Sequence, residues 1–224
     1  MESQANGSKL VEKLDELVAR WHLLQHPFYQ AWTAGQLDSR RLQLYAAQYY
    51  RHVEAFPEHL RALAARTDGE LQALVKENLA EEESPGRTHP QLWRDFAHAL
   101  GVSEAELDHA APLAGTKALV DTYRRISSEG SLPEAVAAFY IYEAQVPEIA
   151  TRKIDGLRRF YGVSEPKGLA YFAVHEEADV RHRAVWRTWL GEQGAEPVEP
   201  VLEAAKQALR ALWGALDAVW VQPA

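Results

Sequence analysis

The chain has 224 residues, 47% of them hydrophobic, enough for one substantial core, and it contains no cysteine. Disulfides, thiolate metal sites and cysteine nucleophiles are therefore excluded, and any bound metal must use nitrogen and oxygen ligands. A formal charge of -8 without a cluster of Lys and Arg argues against nucleic acid or an anionic membrane surface as partner. The N-terminus lacks the basic-then-apolar pattern of a secretory signal, and no run of 18 apolar residues occurs, so a cytoplasmic location is expected.

In chain order, residues 1–8 are polar and read as a flexible N-terminus, and residues 9–224 read as one helical-bundle domain. Leu10, Leu14, Leu17, Trp21 and Leu24 form the stripe of a first helix from about Lys9 to Leu24. His26 and Pro27 open a short helix closed by Gly35. From Ser39 to about Arg66 the stripe Leu42, Tyr45, Tyr49, His52, Phe56 and Leu60 is unusually aromatic, with Pro57 expected to bend the helix. A fourth helix, Gly69 to Glu83, turns Leu71, Leu74, Val75, Asn78 and Glu82 inward. After the breaker Ser84 to Arg87, Thr88 and Gln91 have capping-box spacing for a helix through Leu100, with His89 in its first turn.

A short helical turn near Ser103 to Leu107 and a helix over Leu113 to Ser127 follow. Leu132 to Tyr161 then keeps helical spacing through Val136, Phe139, Glu143, Val146, Ala150, Ile154 and Leu157, with one acid in the middle of the stripe. In the next helix, ending near Gly191, His175, Asp179 and His182 fall within roughly 60° of arc at ~100° per residue. Phe172, Trp186 and Trp189 share that face, so three ligand-type side chains occupy a core stripe. A last helix covers about Pro200 to Val221. The chain reads as an all-α bundle of eight to ten helices.

An ionised carboxylate is costly to bury alone. The His175, Asp179, His182 face therefore implies a neutralised Asp, a hydrogen-bonded polar core or a metal. Glu82, His89 and Glu143 supply further inward-facing ligand types, and together the six fit two divalent metals sharing a bridging carboxylate, with Asp179 the candidate bridge. Read separately, Glu82 has the alternative of a solvated face. Glu143 has that of a buried salt bridge to Arg152 or Lys153 of its own helix or to another chain segment. His52 reads as a core or pocket-lining group, and His22, His26, His59, His98 and His109 as ordinary histidines.

The order Glu82, His89, Glu143, His175, Asp179, His182 resembles the ligand pattern of the haem-oxygenase-like dimetal oxidases. The segments HPFYQAW, AEEESPGRTHPQLW, YIYEAQVPEIATRK and YFAVHEEADVRH extend the likeness over most of the chain. Among these oxidases it is similar to the family of the chlamydial protein associating with death domains. The resemblance implies a haem-oxygenase-like (TenA/PqqC-like) bundle of about seven main helices, holding an Fe/Fe or Fe/Mn pair. It further implies synthesis of 4-aminobenzoate, a folate precursor, from O2, an external reductant and a tyrosine of the protein itself. Tyr29 matches the consumed tyrosine, Tyr45 lies beside it, Tyr142 and Tyr171 match further site tyrosines, and Lys153 matches a proposed amino donor. A homodimer is the expected assembly.

Two other readings remain open at this level: a dimetal oxidase acting on an external amine, amino acid or fatty acid, and a non-enzymatic interaction module. A thiaminase-like hydrolase would need a cysteine this chain lacks. On one unbroken helix Lys153 lies roughly 15 Å from Glu143 and a quarter turn off its face, which makes an approach to the metals difficult unless Pro147 kinks the helix between them or the long Lys stem reaches back; an exposed lysine is the alternative.

Overall fold

The computed structural model describes residues 2–193 and 197–223, with the side chains of residues 2–6, 177–180 and 193 excepted. Among the described residues eleven α-helices follow one another: α1 (Glu2–Arg20), α2 (Pro27–Thr33), α3 (Ser39–Ala64), α4 (Gly69–Glu82), α5 (His89–Ala99), α6 (Glu104–His109), α7 (Ala114–Glu129), α8 (Leu132–Glu143), α9 (Val146–Phe160), α10 (Pro166–Gln193) and α11 (Val198–Trp220). A 3-10 turn, Leu23–Gln25, links α1 to α2. No strand occurs among the described residues.

Two helix bounds differ from the sequence reading. α1 begins at Glu2, not Lys9. Gly7 lies against the backbone of Gly191, so close that a Cβ would overlap its carbonyl oxygen, and this contact joins the polar first turns to α10. The segment Leu132 to Tyr161 is two helices, broken at Ala144 and Gln145, with Pro147 in the first turn of α9. Proline suits a first turn because the N–H it lacks would be unpaired there. Buried Gln145 seals the break: its side chain accepts from Leu23 N (2.8 Å) and donates to Ile141 O (2.8 Å).

Other ends follow local chemistry. Asp38 caps α3 through Arg41 N at 2.8 Å, and α3 continues through Pro57 to Ala64. Thr88 caps α5 through Gln91 N at 3.3 Å, while the Gln91 amide donates to Asp95. Fully buried His26 caps α2: Nδ1 accepts from Phe28 N at 3.0 Å, and Nε2 lies 3.0 Å from Asp217.

Every residue of α8 from Ala135 to Glu143 is buried, as befits a helix apolar on all sides. α8 packs against α10 and α11, α10 also against α1, α5 and α9, and α3 against α4, α5 and α7. The aromatic stripe of α3 meets Trp93 of α5 and Phe139 and Tyr142 of α8. Among the described residues no helix is long and apolar enough to cross a membrane.

Candidate metal centre and tyrosine–lysine cage

α4 ends on Glu82 and α5 begins on His89, so the break between them folds the two back together: His89 Nδ1 lies 2.9 Å from Glu82 Oε2. His175 joins from α10, its ring centroid 4.5 Å from that of His89. Glu82, His89 and His175 are all buried, and each offers a ligand atom within 4.8 Å of the other two. The His175 Nδ1 is 2.6 Å from the carbonyl of Tyr171. A carbonyl only accepts, so Nδ1 carries the proton and Nε2 keeps a lone pair for a metal.

A second group stands beside the first. Glu143, 2% exposed, accepts from Asn78 Nδ2 at 2.9 Å and from Trp186 Nε1 at 2.6 Å. These two donors replace the salt bridge to Arg152 or Lys153 that the sequence left open. His182 Nδ1 is 3.8 Å from Glu143 Oε2, and its Nε2 is 3.3 Å from Glu81. Glu82, Glu143 and His175 line one enclosed cavity, which joins the groups. Asp179 belongs to α10, but its side chain lies outside the described residues.

Of the run Glu81 to Glu83, the middle residue is buried as its helical position requires, and Glu83 pairs with Arg61 at the surface. Glu81 escaped the sequence reading: it links His182 to Arg181 on α10 at 3.0 Å. The EEE run held the signal, since a carboxylate one position from Glu82 can reach α10 from the cluster's flank.

Lys153 is 4% exposed, so the solvated alternative is excluded. The break after Glu143 redirects α9, and its Nζ donates to Tyr45 Oη at 2.5 Å. Tyr45 Oη is in turn 3.2 Å from Tyr29 Oη. The Nζ sits 5.4 Å from the Tyr29 ring centroid, 4.9 Å from Tyr45 and 5.0 Å from Phe172. Burial holds the ammonium well below the usual lysine range and pushes both phenols up. Lys153 is thus brought to the tyrosines and not to the metal-ligand cluster.

A cavity of ≈ 20 Å³ is lined by Tyr29 and Lys153 at one side and by Tyr142, Tyr171 and His175 at the other. Ring contacts span the same gap. The Tyr171 ring lies 4.3 Å from His175 and 4.7 Å from Trp93, and Trp93 lies 5.8 Å from Tyr45. Tyr142 receives a hydrogen bond from Tyr49 at 3.1 Å. Trp93 and Tyr49 were not singled out in the sequence, where each is one more aromatic residue on an apolar stripe.

Comparison with known proteins places this geometry. Residues 43–213 match the family model of iron-containing redox enzymes. The chain belongs to that family. It is 40% identical over 215 residues to a 4-aminobenzoate synthase of Chlamydia muridarum, covering 96% of this chain and 91% of that one. A 4-aminobenzoate synthase of Nitrosomonas europaea is 39% identical, covering 93% and 89%. The fold is haem-oxygenase-like: a TenA homologue of Pseudomonas syringae superposes with TM-score 0.81 at 17% identity, covering 96% of this chain and 92% of that one. A CADD-like protein of unknown function from Nostoc punctiforme gives 0.76 at 17% identity, covering 95% and 98%.

The residues present fit the iron of this family. Carboxylates and imidazoles suit Fe and Mn, and the His175 tautomer is already set for ligation. Bringing Glu82 and Glu143 to one buried cavity concentrates negative charge that a cation would offset.

Proposed function

We propose that this redox enzyme is a 4-aminobenzoate synthase that consumes its own Tyr29, with Lys153 as nitrogen donor. The observation that carries the reading is the buried cage in which Lys153 Nζ lies 5.4 Å from the Tyr29 ring and shares Tyr45 with it. Glu82, His89, Glu143, His175, Asp179 and His182 would hold an Fe/Fe or Fe/Mn pair, which supplies the reduction of O2 with electrons from an external donor. The tyrosine ring with its Cβ has the seven carbons of the product. With O2 as the oxidant, its Cα–Cβ bond must break, Cβ must be oxidised to a carboxylate, and the phenol oxygen must give way to the Lys153 nitrogen, whose Nζ–Cε bond must break in turn.

The chain's own residues prepare each of these changes. Burial lowers the Lys153 pKa and so favours the neutral amine, whose lone pair is nucleophilic. The Tyr45 hydroxyl touches both partners, so it can pass a proton between Lys153 Nζ and Tyr29 Oη. Tyr171, Trp93 and Tyr45 provide contiguous rings from His175 for an electron leaving Tyr29. Holding substrate and amine in one chain removes the entropy of assembling them and limits each polypeptide to about one turnover.

A cavity of ≈ 20 Å³ disfavours an external aromatic substrate at this place. The test is peptide mapping after exposure to iron, manganese, reductant and oxygen. The expected result is product in step with a mass loss confined to the peptide containing Tyr29, and neither in Tyr29→Phe. Product from Tyr29→Phe would mean an external substrate.

A further inference from the structure

His52 on α3 is fully buried, and neither ring nitrogen has a hydrogen-bond partner. Buried polar atoms without partners are rare, and two on one ring are rarer still. The rings of Tyr49, Phe56, Tyr123 and Tyr142 stand 5.2 to 5.6 Å from it at steep angles, which fixes the plane of the imidazole. The same ring lines the enclosed cavity of ≈ 10 Å³ shared by Glu82, Glu143 and His175. That is about the space one water-sized molecule needs. His52 is not part of the Glu82, His89, His175 cluster, whose ligand atoms lie within 4.8 Å of one another. Apolar packing alone would be served better by a Leu or Phe at this position, because a neutral imidazole brings one donor and one acceptor into the core.

We propose that His52 is a positioning residue whose imidazole hydrogen-bonds a small oxygen or nitrogen ligand atom, of the size of water, held in this cavity beside Glu82, Glu143 and His175. The ligand class follows from the space, which excludes anything bulky, from the single donor and acceptor of the imidazole, and from the carboxylates opposite, which accept hydrogen bonds. In the metal-loaded enzyme this deepens the reading above, since the same cavity then gives onto the metals and His52 orients what binds there.

Two measurements test it. Azide is titrated into the iron-loaded full-length protein and followed by its charge-transfer absorption, in wild type, His52→Phe and His52→Gln. Loss of one hydrogen bond predicts about tenfold weaker azide binding in His52→Phe at unchanged iron content. His52→Gln, which keeps a donor and an acceptor, should recover most of that affinity. Equal azide affinity in all three overturns the proposal, as does loss of iron from His52→Phe, which would make His52 a metal ligand.

The second measurement is a high-resolution crystal structure of the metal-free wild type. An ordered water within about 3.2 Å of a His52 nitrogen supports the proposal, and a dry cavity overturns it. A wild type that takes up no iron would sink the metal reading, and the water position would still decide on His52. If His52→Phe fails to fold, the Gln variant and the water position decide.

Discussion

Lys153, His52 and His59 are titratable groups whose charged forms burial in the core disfavours. For Lys153 burial lowers the folded pKa, so between that lowered value and the unfolded one the unfolded chain binds a proton that the folded chain does not. Stability therefore rises with pH through the window from the lowered value up to about 10.4, the unfolded value. Lys153→Met should abolish 4-aminobenzoate formation and yet stabilise the fold at pH 7 by roughly 1–3 kcal/mol. Urea unfolding at pH 7 and pH 10 checks this, with a flatter pH dependence expected in the variant. The histidines act at acid pH. Burial lowers His52 to about 3 and His59 to about 4. Both are lowered from 6.5, so their contribution is fully present above that value and is lost as pH falls toward 4. Each contributes up to about 1.4 kcal/mol per pH unit. His59→Gln should soften the acid loss of stability measured between pH 6.5 and 4, without altering metal content.

At the scale of elements, the site depends on where α9 starts and how near it comes to α2. Gly156 permits the approach: a Cβ there would meet Trp32 Nε1 at 2.5 Å. Gly156→Ala must push the indole or α9 aside, which predicts a loss of roughly 1–3 kcal/mol in thermal unfolding. It should also slow product formation, because Lys153 lies one turn earlier on the same helix. Gln145 holds the other end of the arrangement. Gln145→Ala leaves Leu23 N and Ile141 O without these buried partners, so a loss of roughly 1–3 kcal/mol per group is expected in urea unfolding. Hydrogen exchange should show faster opening at the α8–α9 junction than in the centre of α8.

For the whole molecule, α4, α5, α8 and α10 meet at the ligand cluster, so a bound cation links elements more than 90 residues apart in sequence. Iron or manganese should raise the melting temperature with a concentration dependence set by affinity, about 2.7 kcal/mol at 100 times the dissociation constant. His175→Ala should lose most of that shift, which differential scanning calorimetry measures directly. The Gly7 contact with Gly191 belongs to this scale as well, since it fastens the first turns of α1 to the far end of α10.

Much of the centre was legible in the sequence because helical period is local. The inward faces of α4 and α10 follow from spacing alone, and Glu82, His175 and His182 stand on those faces as anomalies; in α8, buried on all sides, Glu143 stands out as a lone acid among apolar and aromatic residues. Composition alone likewise excluded thiolate ligands, since the chain has no cysteine. Helix packing decided what period could not. Glu143 gained Asn78 and Trp186 as donors, Glu81 reached His182, and Lys153 was buried against Tyr45, 108 positions away in sequence. A single unbroken helix would have kept Lys153 at a fixed angle and distance from Glu143. The break at Ala144 and Gln145 removed that constraint, and the direction α9 takes afterwards is set by the surfaces it meets on α2 and α10.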